Sequence, residues 1–206
     1  MRELTIDDIE SLAVGAWVLG TGGGGNPYLP LLNMRALYKD GHRVRLMQAA
    51  DLADDDLVAG AGGMGAPLVG IERIADPWTL TRAVRAMEAH TKRPFTAIMS
   101  VEIGGGNGVR PFMPAALMNL PVVDSDPMGR AYPEGQMTTT AIGGLAPSPI
   151  SLVDVRGLES IVHSTPTAKW TERVARKICV EYGSTASMCT PPRSSRRNGP
   201  PPPASR

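Results

Sequence analysis

TAIMSVEIGGGNG, residues Thr96 to Gly108, decides the fold: an almost wholly apolar run meets Glu102 and then a tract of glycines that holds Asn107. Such a run, without polar alternation, fits a strand covered on both faces, and the glycines mark a loop at its carboxyl end. Downstream, Pro114 to Leu120 reads as a short helix, and Pro121-Val122-Val123 as a strand stopping at Asp124-Ser125-Asp126. Upstream, Asp76-Pro77 starts a helix whose apolar face is Leu80, Ala83, Val84 and Met87. Before it lie strand-like runs at Val44 to Met47 and Leu57 to Ala59, the second opening onto an expected loop from Gly60 to Pro67.

The amino-terminal stretch carries its own helix signal: Thr5 as N-cap, Asp8 as its capping-box partner, and Leu4 with Ile9 as a hydrophobic staple. Ile9, Leu12, Ala13, Ala16 and Trp17 continue one helical face into Gly20-Thr21-Gly22-Gly23-Gly24-Gly25-Asn26-Pro27, and Asn26-Pro27 opens a second helix that Gly41 ends. This alternation of strand, glycine or acidic loop, and helix predicts an α/β fold with a mostly parallel sheet flanked by helices. In such sheets ligands bind beyond the carboxyl ends of the strands. Ser151 to Val162 reads as a hairpin leading out of this unit, and a helix with Trp170, Val174 and Ile178 on one face follows. The expected organisation is a glycine-rich α/β domain over 1–165, a helix over 166–190 beginning a truncated second domain, and a Pro/Arg tail over 191–206. The tail is expected to be disordered, or the product of a changed reading frame or early stop.

The formal net charge of +1 conceals an uneven distribution, because residues 191–206 hold four arginines and no acids, which leaves 17 basic against 20 acidic residues before them. A slightly acidic body with 4% aromatic residues lacks the basic face of a nucleic-acid binder. The start has no basic segment followed by an apolar run, and no stretch approaches the length of a membrane span, so a cytoplasmic location is expected. Cys179 and Cys189 are expected to be reduced thiols, and His42, His90 and His163, far apart in sequence, surface or helix-end residues.

The dinucleotide spacing Gly20-x-Gly22-x-x-Gly25 follows a helix instead of a strand, and Asn26-Pro27 stand where a phosphate loop needs lysine and a hydroxyl, so no nucleotide cofactor is expected. What remains is a run of backbone N–H groups, Gly22 to Gly25 with Asn26, able to cradle a carboxylate, or a connection that lets two helices cross closely. Glu102, Asp124 and Asp126 each follow an apolar strand and would meet above the sheet edge, where unequal desolvation can hold one acid protonated and another ionised. Asp124-x-Asp126 also offers oxygens to a hard divalent cation, although no histidine lies nearby and nothing else supports a metal. Arg130 either clamps a substrate carboxylate or neutralises the acidic pair; Asn107 either orients a substrate amide or fills a left-handed turn.

Together, GTGGGGNP (20–27), GGMGAP (62–67), EIGGGN (102–107) and PVVDSDPMGRAYPEGQMTT (121–139) resemble the amino-terminal domain of the S-methyl thiohydantoin desulfurases, often labelled hydantoin-utilisation proteins. The resemblance implies a two-domain enzyme that hydrolyses an S-methylated five-membered thiohydantoin ring, releasing methanethiol and leaving a hydantoin. It implies Glu102 or Asp124 as base for water, Asp126 or Glu134 as proton donor, Arg130 on a carboxylate arm, and Gly22 to Gly25 on ring or carboxylate oxygens. The chain departs from the family after Cys189, and Gly135 interrupts a segment the family would keep regular. The alternative expectation is a non-catalytic small-ligand domain or remnant, exposing apolar surface and self-associating. A nucleotide-dependent ring opener is disfavoured by the missing lysine.

Overall fold

Thr5 begins the first helix as its sequence implies. Its hydroxyl accepts from the Asp8 amide, and the Asp8 carboxylate accepts in return from the Thr5 amide at 2.8 Å. The structure, a computed structural model, describes residues 1–73, 76–190 and the backbone of 193–194. In chain order the elements are β1 (Arg2–Glu3), α1 (Ile6–Gly20), α2 (Tyr28–Lys39), β2 (Arg45–Gln48), β3 (Leu57–Gly65), α3 (Val69–Glu72), α4 (Pro77–Thr91) and β4 (Ala97–Ser100). They continue with α5 (Phe112–Met118), β5 (Val122–Asp124), α6 (Thr139–Ile142), β6 (Ile150–Val153), β7 (Glu159–Val162), α7 (Ala168–Glu181), β8 (Thr185–Cys189) and β9 (Arg193–Ser194).

The sheet runs β1-β2-β5-β4-β3-β8-β6-β7. Its heart is parallel, β2 beside β5, β5 beside β4 and β4 beside β3, and antiparallel strands complete both flanks. Helices α1, α2, α4 and α5 cover one face through a core built on Ile9, Met34, Leu80, Met87, Ile98 and Val109. Helix α7 packs on the other face through Ala175 and Cys179, against Met64, Leu152 and Met188. These two apolar layers bury the sheet on both sides, which is the arrangement parallel strands require.

Four expectations change. Gly60 to Gly65 is not a loop: β3 continues through it, because neighbouring side chains fill the space a Cβ would take, Val101 at Gly62 and Thr190 at Gly60. Trp170 and Val174 are 50% and 38% exposed, and the inward face of α7 is Thr171, Ala175 and Cys179 at helical spacing. Trp17, expected on the core face of α1, is 58% exposed. His90 and His163 lie at the surface as expected, His90 in the last turn of α4, and meet with Nε2 and Nδ1 3.1 Å apart. The sheet also crosses the boundary placed at residue 165, since β8 lies between β3 and β6. Of the tail, the described part is the 193–194 backbone, paired with Leu57 and Val58; the rest lies outside the described residues.

The turn between β6 and β7 depends on Asp154, whose buried carboxylate accepts from the amides of Arg156 and Leu158 at 2.9 Å each and from Arg156 Nε. Burial alone would raise its pKa, but these hydrogen bonds and the Arg156 charge prevail and lower it. Asp154→Ala is therefore expected to cost about 2–4 kcal/mol in urea unfolding at neutral pH. Because the folded state holds the ionised form, the deficit should shrink as pH falls through the depressed pKa, below the ordinary aspartate range.

Candidate active site

The carboxyl ends of β3 and β4 and the loop after β5 open onto a cavity of about 550 Å³, walled on its far side by α7. Its floor is the bare backbone of β3, and one rim is made by two glycine tracts pressed together. Gly24 O accepts from Asn107 N at 3.1 Å and Gly25 O from Gly106 N at 2.8 Å. A Cβ on Gly24 would stand 2.1 Å from Gly104 O, and one on Gly105 2.3 Å from Gly23 O. Glycine is needed there for backbone contact, and the cradle formed in this way lines the cavity through Gly23, Gly24, Gly25 and Asn26. Asn26 also starts α2, its side chain accepting from the Tyr28 amide at 2.8 Å.

Glu102 follows β4 and is 4% exposed. Its Oε1 accepts from Asn107 Nδ2 at 2.5 Å and its Oε2 from the Tyr132 amide at 2.8 Å. Asn107 is itself pinned to β3, donating to Gly63 O at 3.2 Å and accepting from Gly63 N at 2.7 Å, so its amide positions the carboxylate. Burial raises the pKa of Glu102, opposed by those two hydrogen bonds and the Arg110 charge and assisted by Asp126. The phenol of Tyr132 is pushed well above its ordinary range, by burial first and then by the charges of Glu102, Glu172 and Asp126, and stays a donor. Asn107→Ala removes a hydrogen bond that lowers the Glu102 pKa. It is expected to move any acid limb governed by Glu102 upward and to cost about 1–3 kcal/mol through the orphaned Gly63 amide, read by a pH–rate profile and by urea unfolding.

The acids expected to converge do not all do so. Of the candidates, Glu102, Gly23, Gly24, Gly25, Asn26 and Asn107 line the cavity, whereas Gly22, Asp124, Asp126, Arg130 and Glu134 do not. Asp124 ends β5 exposed and accepts from Gln48 Nε2 at 3.3 Å. Asp126 Oδ2 accepts from the amides of Ile103, Met128 and Gly129, which folds the loop over Glu102. Arg130 is exposed and bonds Ala131 O, and exposed Glu134 holds Gln136. Sequence reasoning missed Arg110, Tyr132, Glu172 and Arg176, all on the cavity wall. Glu172 and Arg176 form an ion pair that also grips the Pro133–Gly135 backbone. Arg110 had a signal: between Arg93 and Asp124 the only charged residues are Glu102 and Arg110.

Fold and site together define an α/β domain with a cavity at the carboxyl edge of a parallel sheet core, where such folds place their ligands. Residues 7–164 match the family model described as S-Me-THD-like, N-terminal domain. The chain belongs to that family. It is also similar to a protein from Chromobacterium violaceum of known crystal structure, with a TM-score of 0.80 at 26% identity over 94% of this chain and 55% of that one. The chain thus spans little more than half of that protein. No curated protein matches. Among the described residues no helix is long and apolar enough to cross a membrane.

Proposed function

We propose that this domain binds a five-membered thiohydantoin or hydantoin-like ring in the cavity and that Glu102 activates water against it, as in an S-methyl thiohydantoin desulfurase. The supporting observation is a buried carboxylate, held by two N–H groups and raised in pKa, lining a cavity most of whose wall lies in the residues that match this family's amino-terminal domain.

In this reading ionised Glu102 takes a proton from water as the oxygen bonds to the ring carbon bearing sulfur. The carbon–sulfur bond then breaks. One proton of the water ends on ring nitrogen and the other on sulfur, so that methanethiol leaves and the carbon becomes a hydantoin carbonyl. The phenol of Tyr132, kept protonated, donates to the ring nitrogen as it gains electron density. Asp126 is occupied by three backbone amides, Asp124 lies outside the cavity, and Glu172 is held by Arg176 and the Gly135 amide, so the base falls to Glu102.

The test is calorimetric titration of the chain with an S-methyl thiohydantoin, with methanethiol release followed by a thiol reagent. Both cysteines are buried with raised pKa values, which keeps the protein background low. Binding with release is expected. Binding without release would replace the proposal by a non-catalytic ligand domain, and the absence of both would overturn it.

A further inference from the structure

Glu172 and Arg176 stand one turn apart on α7, a spacing at which a solvated ion pair lends a helix only slight support. This pair does more than that. The Glu172 side chain is 9% exposed, and both partners spend their remaining hydrogen-bonding capacity on the connection between β5 and β6. Glu172 Oε1 accepts from Arg176 Nε at 2.7 Å, while Oε2 accepts from the Gly135 amide at 3.1 Å. Arg176 Nη2 in turn donates to Pro133 O at 3.2 Å. Both grips fall directly after Tyr132, whose amide donates to Glu102. Just before it, the Ala131 amide donates to Leu19 O at 3.3 Å, so the Tyr132 peptide is tied to α1 on one side and to α7 on the other. An irregular segment holds a reacting group in place only when its own neighbours are locked in this way.

We propose that the Glu172–Arg176 pair is the positioning device of this site: by fixing Pro133 and Gly135 it sets the Tyr132 peptide, and through that peptide the orientation of the Glu102 carboxylate. This rests on the reading of Glu102 as base and adds α7 to the working site. The helix lies beyond residues 7–164, which match the family model, so the site is completed by a part of the chain that follows that domain. The Glu172 charge also contributes to keeping the Tyr132 phenol protonated.

The test compares the wild-type chain with Arg176→Met, Arg176→Lys and the exchanged pair, Glu172→Arg with Arg176→Glu. The exchange keeps opposite charges on α7 but leaves no acceptor for Gly135 and no donor for Pro133. Two readouts are taken: the Glu102 titration by carbon-13 NMR of labelled glutamate, assigned with Glu102→Gln, and kcat and KM for methanethiol release. Arg176→Met and the exchanged pair should move the Glu102 titration upward, because the Tyr132 hydrogen bond lowers its pKa. They should also lower kcat by roughly tenfold to hundredfold, the usual effect of misplacing a reacting group by about 1 Å, with a smaller change in KM. Arg176→Lys, which still donates, should recover most of both. An unmoved Glu102 titration in either variant, whatever the rate, reduces the pair to a helix support and overturns the proposal. If the wild type releases no methanethiol, the ring reading fails and the titration decides the positioning role by itself. If Arg176→Met and the exchanged pair do not fold, Glu172→Gln decides: its amide weakens the hold on Arg176, and an unmoved titration there overturns the proposal.

Discussion

Glu102→Gln is expected to lower methanethiol release by about 10²–10⁴-fold, the usual contribution of a positioned general base, with the chain still folded. The amide keeps the shape but not the function. Only its oxygen can accept, so either Asn107 Nδ2 or the Tyr132 amide loses its partner, at a cost of about 1–3 kcal/mol. In the wild type, the active ionised form appears as pH rises through the raised Glu102 pKa, placing the acid limb above the ordinary glutamate value of 4.5. Stability carries the opposite sign. A carboxyl with a raised folded pKa favours folding most when protonated, below its ordinary value, and this contribution is lost as pH rises through the raised value. The unfolding deficit of Glu102→Gln should therefore narrow with rising pH. A deficit that widens, or turnover retained within a few-fold, would remove Glu102 from the chemistry.

Gly24→Ala and Gly105→Ala should each destabilise the chain by about 3–5 kcal/mol, combining a left-handed backbone penalty with forced separation of two backbones. At Gly24 the backbone has φ +72° and the new methyl would stand 2.1 Å from Gly104 O; at Gly105 φ is +65° and Gly23 O is 2.3 Å away. For a chain of this length that corresponds to a melting point lower by about 6–20 °C. Gly22→Ala is the control: φ is +93° but nothing lies within 4 Å, so about 1–2 kcal/mol is expected. Thermal unfolding of the three variants separates crowding from conformational strain. Equal losses at Gly22 and Gly24 would mean that the tracts are less closely interlocked than described.

Much of the architecture was legible because local and global signals agree. The Thr5–Asp8 box, the Asp76-Pro77 start of α4 and the apolar run into β4 each follow chemistry that acts within a few residues. Gly60 to Gly65 was misjudged because glycine opposes a strand intrinsically, and only the incoming side chains of Val101 and Thr190 explain why it belongs in one. The acidic cluster was misjudged for a related reason. Position after a strand places Asp124 and Asp126 at the right edge, but hydrogen bonds formed across the fold decide whether a carboxylate faces the cavity or binds backbone. Glu102 was legible as a candidate, whereas Tyr132, Glu172 and Arg176 reach the wall through tertiary packing that no short-range pattern encodes.

The pressed-together glycine tracts also fix where this cavity can be re-tailored. At Gly24, Gly104 and Gly105 any added carbon meets main chain within 2.3 Å, so these three positions can acquire no side chain by point replacement. Variation of the lining is left to positions that carry side chains, such as Leu29, Ile71, Thr140 and Leu145. A library aimed at altering the cavity belongs at those positions, with the glycines left as the hinge-free frame against which every variant is compared.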